Sequence, residues 1–158
     1  MEVRLAPVHP DLRERLLRLG PRPDQERFAG PLAETLPAAE ADPDREPVAI
    51  LADDEPVGFF VLHRGPGAGA LAPGPRDVLL RAVLVDAAAQ GKGIATRALA
   101  VLPDYVAERL PGARRIVLSV NVRNPVAIRT YARAGFADTG ELYHGGAAGP
   151  QHVFELWL

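Results

Sequence analysis

Residues 77–86 form an aliphatic run containing the β-branched Val78, Val83 and Val85. The run leads through Ala87-Ala88-Ala89 into Gln90-Gly91-Lys92-Gly93-Ile94-Ala95. β-Branched side chains suit a pleated surface, so 77–86 is the strongest expected strand. A helix is expected over 91–110. Leu99, Leu102, Val106 and Leu110 recur at helical spacing, and Pro111-Gly112 ends the run. Pro103 should kink this helix or mark a boundary. Residues 115–120 read as the next strand. Such a strand–helix–strand unit needs a crossover and implies parallel pairing.

The flanking segments read as strands at 3–8, 48–51, 57–62, 136–142 and 152–158. The pair at 48–62 is a hairpin with a turn of about four residues at Asp53-Asp54-Glu55-Pro56. Asp11 is expected to cap a helix over 12–19, and Asp24 a second helical stretch through Leu36, broken at Gly30-Pro31. Residues 38–47 and 65–75 read as loops, the second glycine-rich and mobile. Asn124 with Pro125 opens a short helix to Ala134. Strands adjacent in sequence suggest antiparallel pairs beside the parallel one. The fold class is α+β, one domain over 1–158, with a mixed central sheet of about seven strands flanked by helices.

Composition mainly excludes. There is no cysteine, which removes disulfides, thiolate catalysis and any Cys-based zinc site. No metal site is expected. No apolar run approaches the roughly 20 residues of a membrane helix. The N-terminus shows no signal-peptide pattern, and a cytoplasmic location fits. A net charge of −2 does not argue for nucleic acid or membrane as partner. The halves differ, however. Residues 1–79 hold fourteen acidic and nine basic side chains, and 80–158 hold six and nine. That asymmetry could suit an anionic co-substrate and a cationic acceptor, or could be plain surface charge.

Gly91 and Gly93 let the backbone approach a ligand closely. The N–H groups and dipole of the following helix start make an anion site, with Lys92 adding a cation. A Walker A loop is excluded by spacing and by the lack of a hydroxyl after Lys92. A dinucleotide fingerprint is excluded because Thr96 replaces its third Gly or Ala. A ligand-free glycine turn stays open on this segment alone.

Gln90-x-x-Gly93-x-Ala95, after a strand and before a helix, resembles motif A of the GNAT (Gcn5-related) N-acetyltransferase family. Asn121-x-x-Asn124-x-x-Ala127-x-x-x-Tyr131-x-x-x-Gly135-Phe136 resembles motif B, in the family's order and separation. The resemblance implies the GNAT fold and acetyl-CoA as co-substrate. It implies direct acetyl transfer through a tetrahedral intermediate to a primary amine. By the same resemblance, Val83, Leu84 and Val85 bind the pantetheine arm through their backbone. Gln90, Gly91, Lys92, Gly93, Ile94, Ala95 and Thr96 wrap the pyrophosphate. Asn124 reaches the cofactor or simply caps its helix. Tyr131 matches the general acid that protonates the departing thiolate. A backbone N–H of Leu84 or Val85 would face the developing oxyanion. Some members carry a base Glu on the strand before motif A, and this chain has none there. Glu34, Glu141, His144 and His152 are weak substitutes, so a water-mediated route is expected.

Gln25-x-x-Phe28 with Leu32-Ala33-Glu34, and Pro56-Val57-Gly58-Phe59, is similar in a softer way to the diamine and spermidine acetyltransferase branch. That implies a small-molecule amine acceptor such as a polyamine, with Glu34 on the acceptor side. Carboxylates such as Glu26 and Asp53–Glu55 would hold distal ammonium groups. A protein N-terminal or aminoglycoside acetyltransferase, or a non-catalytic acetyl-CoA-binding module, are the alternatives. Many members form homodimers, and the apolar last strand could serve as a pairing edge.

Overall fold

The computed structural model describes residues 1–28 and 31–158, so the expected break at Gly30-Pro31 lies partly outside the described residues. Seven strands form one sheet: β1 (Val3–Pro7), β2 (Arg45–Ala52), β3 (Glu55–His63), β4 (Asp77–Val85), β5 (Arg115–Asn121), β6 (Ala137–Tyr143) and β7 (Gln151–Trp157). Their order is β1-β2-β3-β4-β5-β7-β6. Four helices pack on the sheet: α1 (Pro10–Leu16), α2 (Leu32–Glu40), α3 (Ile94–Arg109) and α4 (Pro125–Arg133). Among the described residues only β4 and β5 pair in parallel, as the crossover through α3 requires.

Strand alternation divides the core between two faces. Val48, Ile50, Phe60 and Leu62 pack with Leu99, Leu102 and Val106 of α3. Ala49, Leu51, Phe59 and Val61 pack with Leu12, Leu16, Leu32 and Leu36 of α1 and α2.

Several boundaries depart from expectation for local reasons. Pro10 opens α1, so His9 rather than Asp11 is its N-cap. Beyond Leu17 the chain closes in tight turns, with the Leu19 N–H on the Leu16 carbonyl at 2.9 Å. Residues 23–28 form a 3₁₀ segment separate from α2, whose N-cap is Pro31. α2 continues to Glu40 and β2 begins at Arg45, so the expected loop at 38–47 shrinks. The β2–β3 hairpin turns on Asp53 and Asp54 alone, at φ 48° and 67°, the pair of positive φ values a two-residue turn requires. The expected mobile loop at 65–75 holds a 3₁₀ turn whose Ala68, with the following Ala72, is buried on Leu79. α3 starts at Ile94, because Gly93 at φ 76° lies outside helical space, and it runs through Pro103. β7 lies between β5 and β6, so the last strand is interior and β6 is the edge.

β4 and β5 pair only at Asp77–Arg115, Val78–Ile116 and Leu79–Val117. Beyond these residues the two strands part, although β4 runs on to Val85 and β5 to Asn121. The closed end of this V is clamped. Arg115 grips Asp77 through Nε at 3.0 Å and Nη2 at 2.8 Å, reaches Glu155 at 2.9 Å, and lies 5.4 Å over the Trp157 ring. The guanidinium holds the Asp77 carboxyl below its ordinary pKa, with the Gly74 N–H assisting. A depressed carboxylate pKa contributes stability above the unfolded value, and that contribution is lost as pH falls below about 4. Asp77→Asn should therefore lower stability by about 2 kcal/mol at neutral pH. The deficit should shrink in acid, as urea titrations at pH 7 and pH 3 would show; an equal deficit at both would refute the linkage.

Candidate active site

A second irregularity shapes the open end of the V. Phe59 pairs with Leu84, but Val61 pairs with Arg81, so β4 carries one extra residue in this interval. Ala82 sits there at φ 58°, the left-handed conformation that a bulge residue adopts. The extra residue reverses the alternation. Val78 and Leu80 pack on the α3 face before the bulge, and Val83 and Val85 do so after it.

The register also aims the backbone. The Asp86 N–H bonds the Val57 carbonyl at 2.8 Å, which makes Val85–Gly58 a non-hydrogen-bonded pair. Val85 therefore turns its own N–H and C=O away from β3 and into the gap beside β5. The Val85 carbonyl accepts from Gln90 Nε2 at 2.9 Å, and its N–H remains directed at the gap. Leu84 points its backbone groups toward Phe59 instead.

Between the splayed strands lies a cavity of about 500 Å³. Val83, Leu84, Val85, Gln90, Gly91, Gly93, Ile94, Ala95, Thr96, Asn124 and Tyr131 all line it. The structure thus brings eleven of the thirteen expected site residues together. Lys92 projects outward between two lining glycines, and Glu34 is exposed on the first turn of α2, away from the lining.

The loop leaves its backbone open. Gly91 and Gly93 have φ of 81° and 76°. A Cβ at either would meet no protein atom within 4 Å, so the space beside them is open to a ligand. The first α3 turn closes with the Arg97 N–H on the Gly93 carbonyl at 3.1 Å. Ile94, Ala95 and Thr96 precede it, so their N–H groups have no intrahelical acceptor. Gln90 lines the cavity and also holds the loop in place. Its amide bridges Val85 and Gln25 Oε1, the latter at 2.8 Å, and so ties the loop to the segment before α2.

Asn124 Oδ1 accepts from the Ala127 N–H at 3.3 Å, so it caps α4 while facing the cavity. Tyr131 packs edge-on against Phe136 at 5.8 Å between ring centres. Burial pushes its phenol pKa up, so the hydroxyl keeps its proton at neutral pH. Glu141, His144 and His152 do not line the cavity, and neither does any carboxylate or imidazole among the described residues. The acidic 53–55 turn is engaged elsewhere: Asp54 with Arg4 at 2.9 Å, Glu55 with Arg15, and Asp53 with the Glu2 N–H. Arg81, Ser119, Thr130 and Arg133 also line the cavity and were missed from sequence. Arg81 carried a signal, as a cation interrupting an aliphatic strand.

This geometry accommodates acetyl-CoA. The loop offers N–H groups and open space to a pyrophosphate, and the unpaired β4 backbone offers hydrogen bonds to the amides of a pantetheine arm. The GNAT acetyltransferase family model matches residues 9–136. An uncharacterized N-acetyltransferase of Bacillus subtilis, YbbJ, is 38% identical over 118 residues, which are 74% of each chain. Among solved structures, aminoglycoside acetyltransferase AAC(6')-Ib in complex with coenzyme A and kanamycin superposes with a TM-score of 0.80. It is 20% identical, with 99% of this chain and 95% of that one covered. Spermidine N-acetyltransferase from Vibrio cholerae, in complex with CoA and spermine, gives a TM-score of 0.74 at 18% identity, with 98% and 95% covered. At these identities the two structures are similar in fold. No helix among the described residues is long and apolar enough to cross a membrane. The family match across most of the chain, over a cleft that fits the cofactor, establishes that the chain belongs to the GNAT family and is an N-acetyltransferase with acetyl-CoA as co-substrate.

Proposed function

We propose that the chain transfers the acetyl group directly to a primary amine of a small molecule, with chemistry at the open end of the β4–β5 V. The convergence of three parts on one cavity carries this reading: the loop at 90–96, the Val85 N–H and the Tyr131 hydroxyl. Bound acetyl-CoA supplies a thioester carbonyl open to attack. The Val85 N–H, fixed by the β3–β4 register, faces the gap in which that carbonyl oxygen gains charge. Tyr131 returns a proton to the sulfur as the C–S bond breaks. The surroundings that raise the phenol pKa would likewise raise the basicity of a departing thiolate, so donor and acceptor stay matched.

The amine must lose a proton, and no side-chain base lines the cavity among the described residues. Water held by groups such as Gln25 and Ser119 carries the proton out. A polyamine or aminoglycoside acceptor draws support from the fold neighbours alone. Among the described residues, the ionisable side chains of the lining besides Tyr131 are the cations Arg81 and Arg133, which oppose a polycation. Assay of coenzyme A thiol against amino acids, polyamines, aminoglycosides and peptides tests the reading. One N-acetylated product should form per thiol released. Acetyl-CoA binding without turnover of any acceptor would contradict it.

A further inference from the structure

Arg81 stands on β4, four residues before Val85, and lines the cavity. The residue is exposed. The surrounding protein and the nearby Arg45 charge still push its pKa down, so the site is short of counter-charge. Its one hydrogen bond among the described residues runs from Nη1 to His63 Nδ1 at 3.2 Å. Guanidinium only donates, so His63 Nδ1 must accept, and the neutral ring carries its proton on Nε2. His63 is fully buried, and burial together with the Arg45 and Arg81 charges lowers its pKa, which agrees with a neutral ring. Asp42 forms an ion pair with Arg45 at 3.3 Å and stands 3.9 Å from His63 Nε2. No carboxylate reaches Arg81 among the described residues, and none lines the cavity. A buried imidazole thus holds one edge of a guanidinium and leaves the rest of its donor fork toward an open cleft.

We propose that Arg81, positioned by His63, binds an anionic group on the acceptor, so that the substrate is an amine that also carries a carboxylate or phosphate. The proposal rests on the acetyl-transfer reading and names its substrate class. A planar fork matches either anion in two-point contact. At about 3.3 Å per residue, less the bulge, the Arg81 backbone lies roughly 10 Å from Val85. The anion and the reacting amine are therefore separated by several bonds, as in an ω-amino acid. His63 is a positioning residue.

The test compares kcat/KM for ω-amino carboxylates of increasing length, their amides, aminoalkyl phosphates and spermidine. Wild type should favour an anionic acceptor over its neutral counterpart by about 10- to 100-fold, the range of a charge-assisted hydrogen bond. The carboxylate and phosphate arms identify which anion is preferred. Arg81→Met should collapse that preference through KM for the anionic acceptor, and Arg81→Lys should restore part of it. Acetyl-CoA affinity, measured by calorimetry, verifies that each variant is folded. His63→Leu should weaken the preference, and His63→Gln, which keeps an acceptor, should weaken it less. Turnover with spermidine or the amides favoured, or a ratio unmoved in Arg81→Met, would overturn the inference and leave acetyl transfer standing. Absence of turnover with every amine would overturn both.

Discussion

Tyr131→Phe should lower kcat by about 100-fold or more while acetyl-CoA binds with wild-type affinity. The ring fills the same space against Phe136, so packing survives and only the proton donor is lost. Without it, the thiolate must leave unprotonated or wait for water. The pH profile is a second readout. A raised phenol pKa means the acid form persists as pH rises, so ionisation of Tyr131 removes no activity up to about pH 10. Stopped-flow or steady-state rates across pH 6–10 check both points. Near-normal turnover in Tyr131→Phe would remove the general-acid role.

Gly93→Val should weaken acetyl-CoA binding by at least about 100-fold. A β-branched residue at φ 76° is strained, and holding it there costs about 1–3 kcal/mol. Relaxing that strain would move the first N–H groups of α3 out of line. The new side chain would also enter space that no protein atom occupies. The damage should therefore fall on the ligand more than on the fold. Titration calorimetry gives the affinity, and thermal melts of the free protein separate binding from stability. Unchanged affinity would show that the pyrophosphate does not lie on this loop.

What the sequence revealed and what it hid follow from the range of the interactions involved. The strand, loop and helix at 77–110 were legible because an aliphatic, β-branched run, closely spaced glycines and helical spacing are local signals. Asn124 was legible as a cap for the same reason, with Pro125 at the first helical position. The edges of α1 and α2 were not: Pro10 opens α1 with His9 as its cap, two residues before Asp11, and α2 is capped at Pro31, seven residues beyond Asp24. The bulge at Ala82 was hidden. It depends on which β3 residue each β4 residue meets, and neither strand contains a glycine at that point. That concealed register decides that Val85 rather than Leu84 faces the gap. Gln25–Gln90 joins residues 65 apart, and His63–Arg81 crosses a strand pair. Neither contact leaves a mark in local sequence. The acidic N-terminal half suggested a cationic acceptor, yet its 53–55 turn is engaged with Arg4, Arg15 and the Glu2 N–H, away from the cavity.

A crystal structure with coenzyme A bound tests the placement of the chemistry most directly. The pyrophosphate should lie on the N–H groups of residues 91–96 and the pantetheine arm along Val83–Val85. The sulfur should come within hydrogen-bond reach of the Tyr131 hydroxyl, at the open end of the β4–β5 V. A pyrophosphate bound elsewhere, or a sulfur remote from Tyr131, would contradict it.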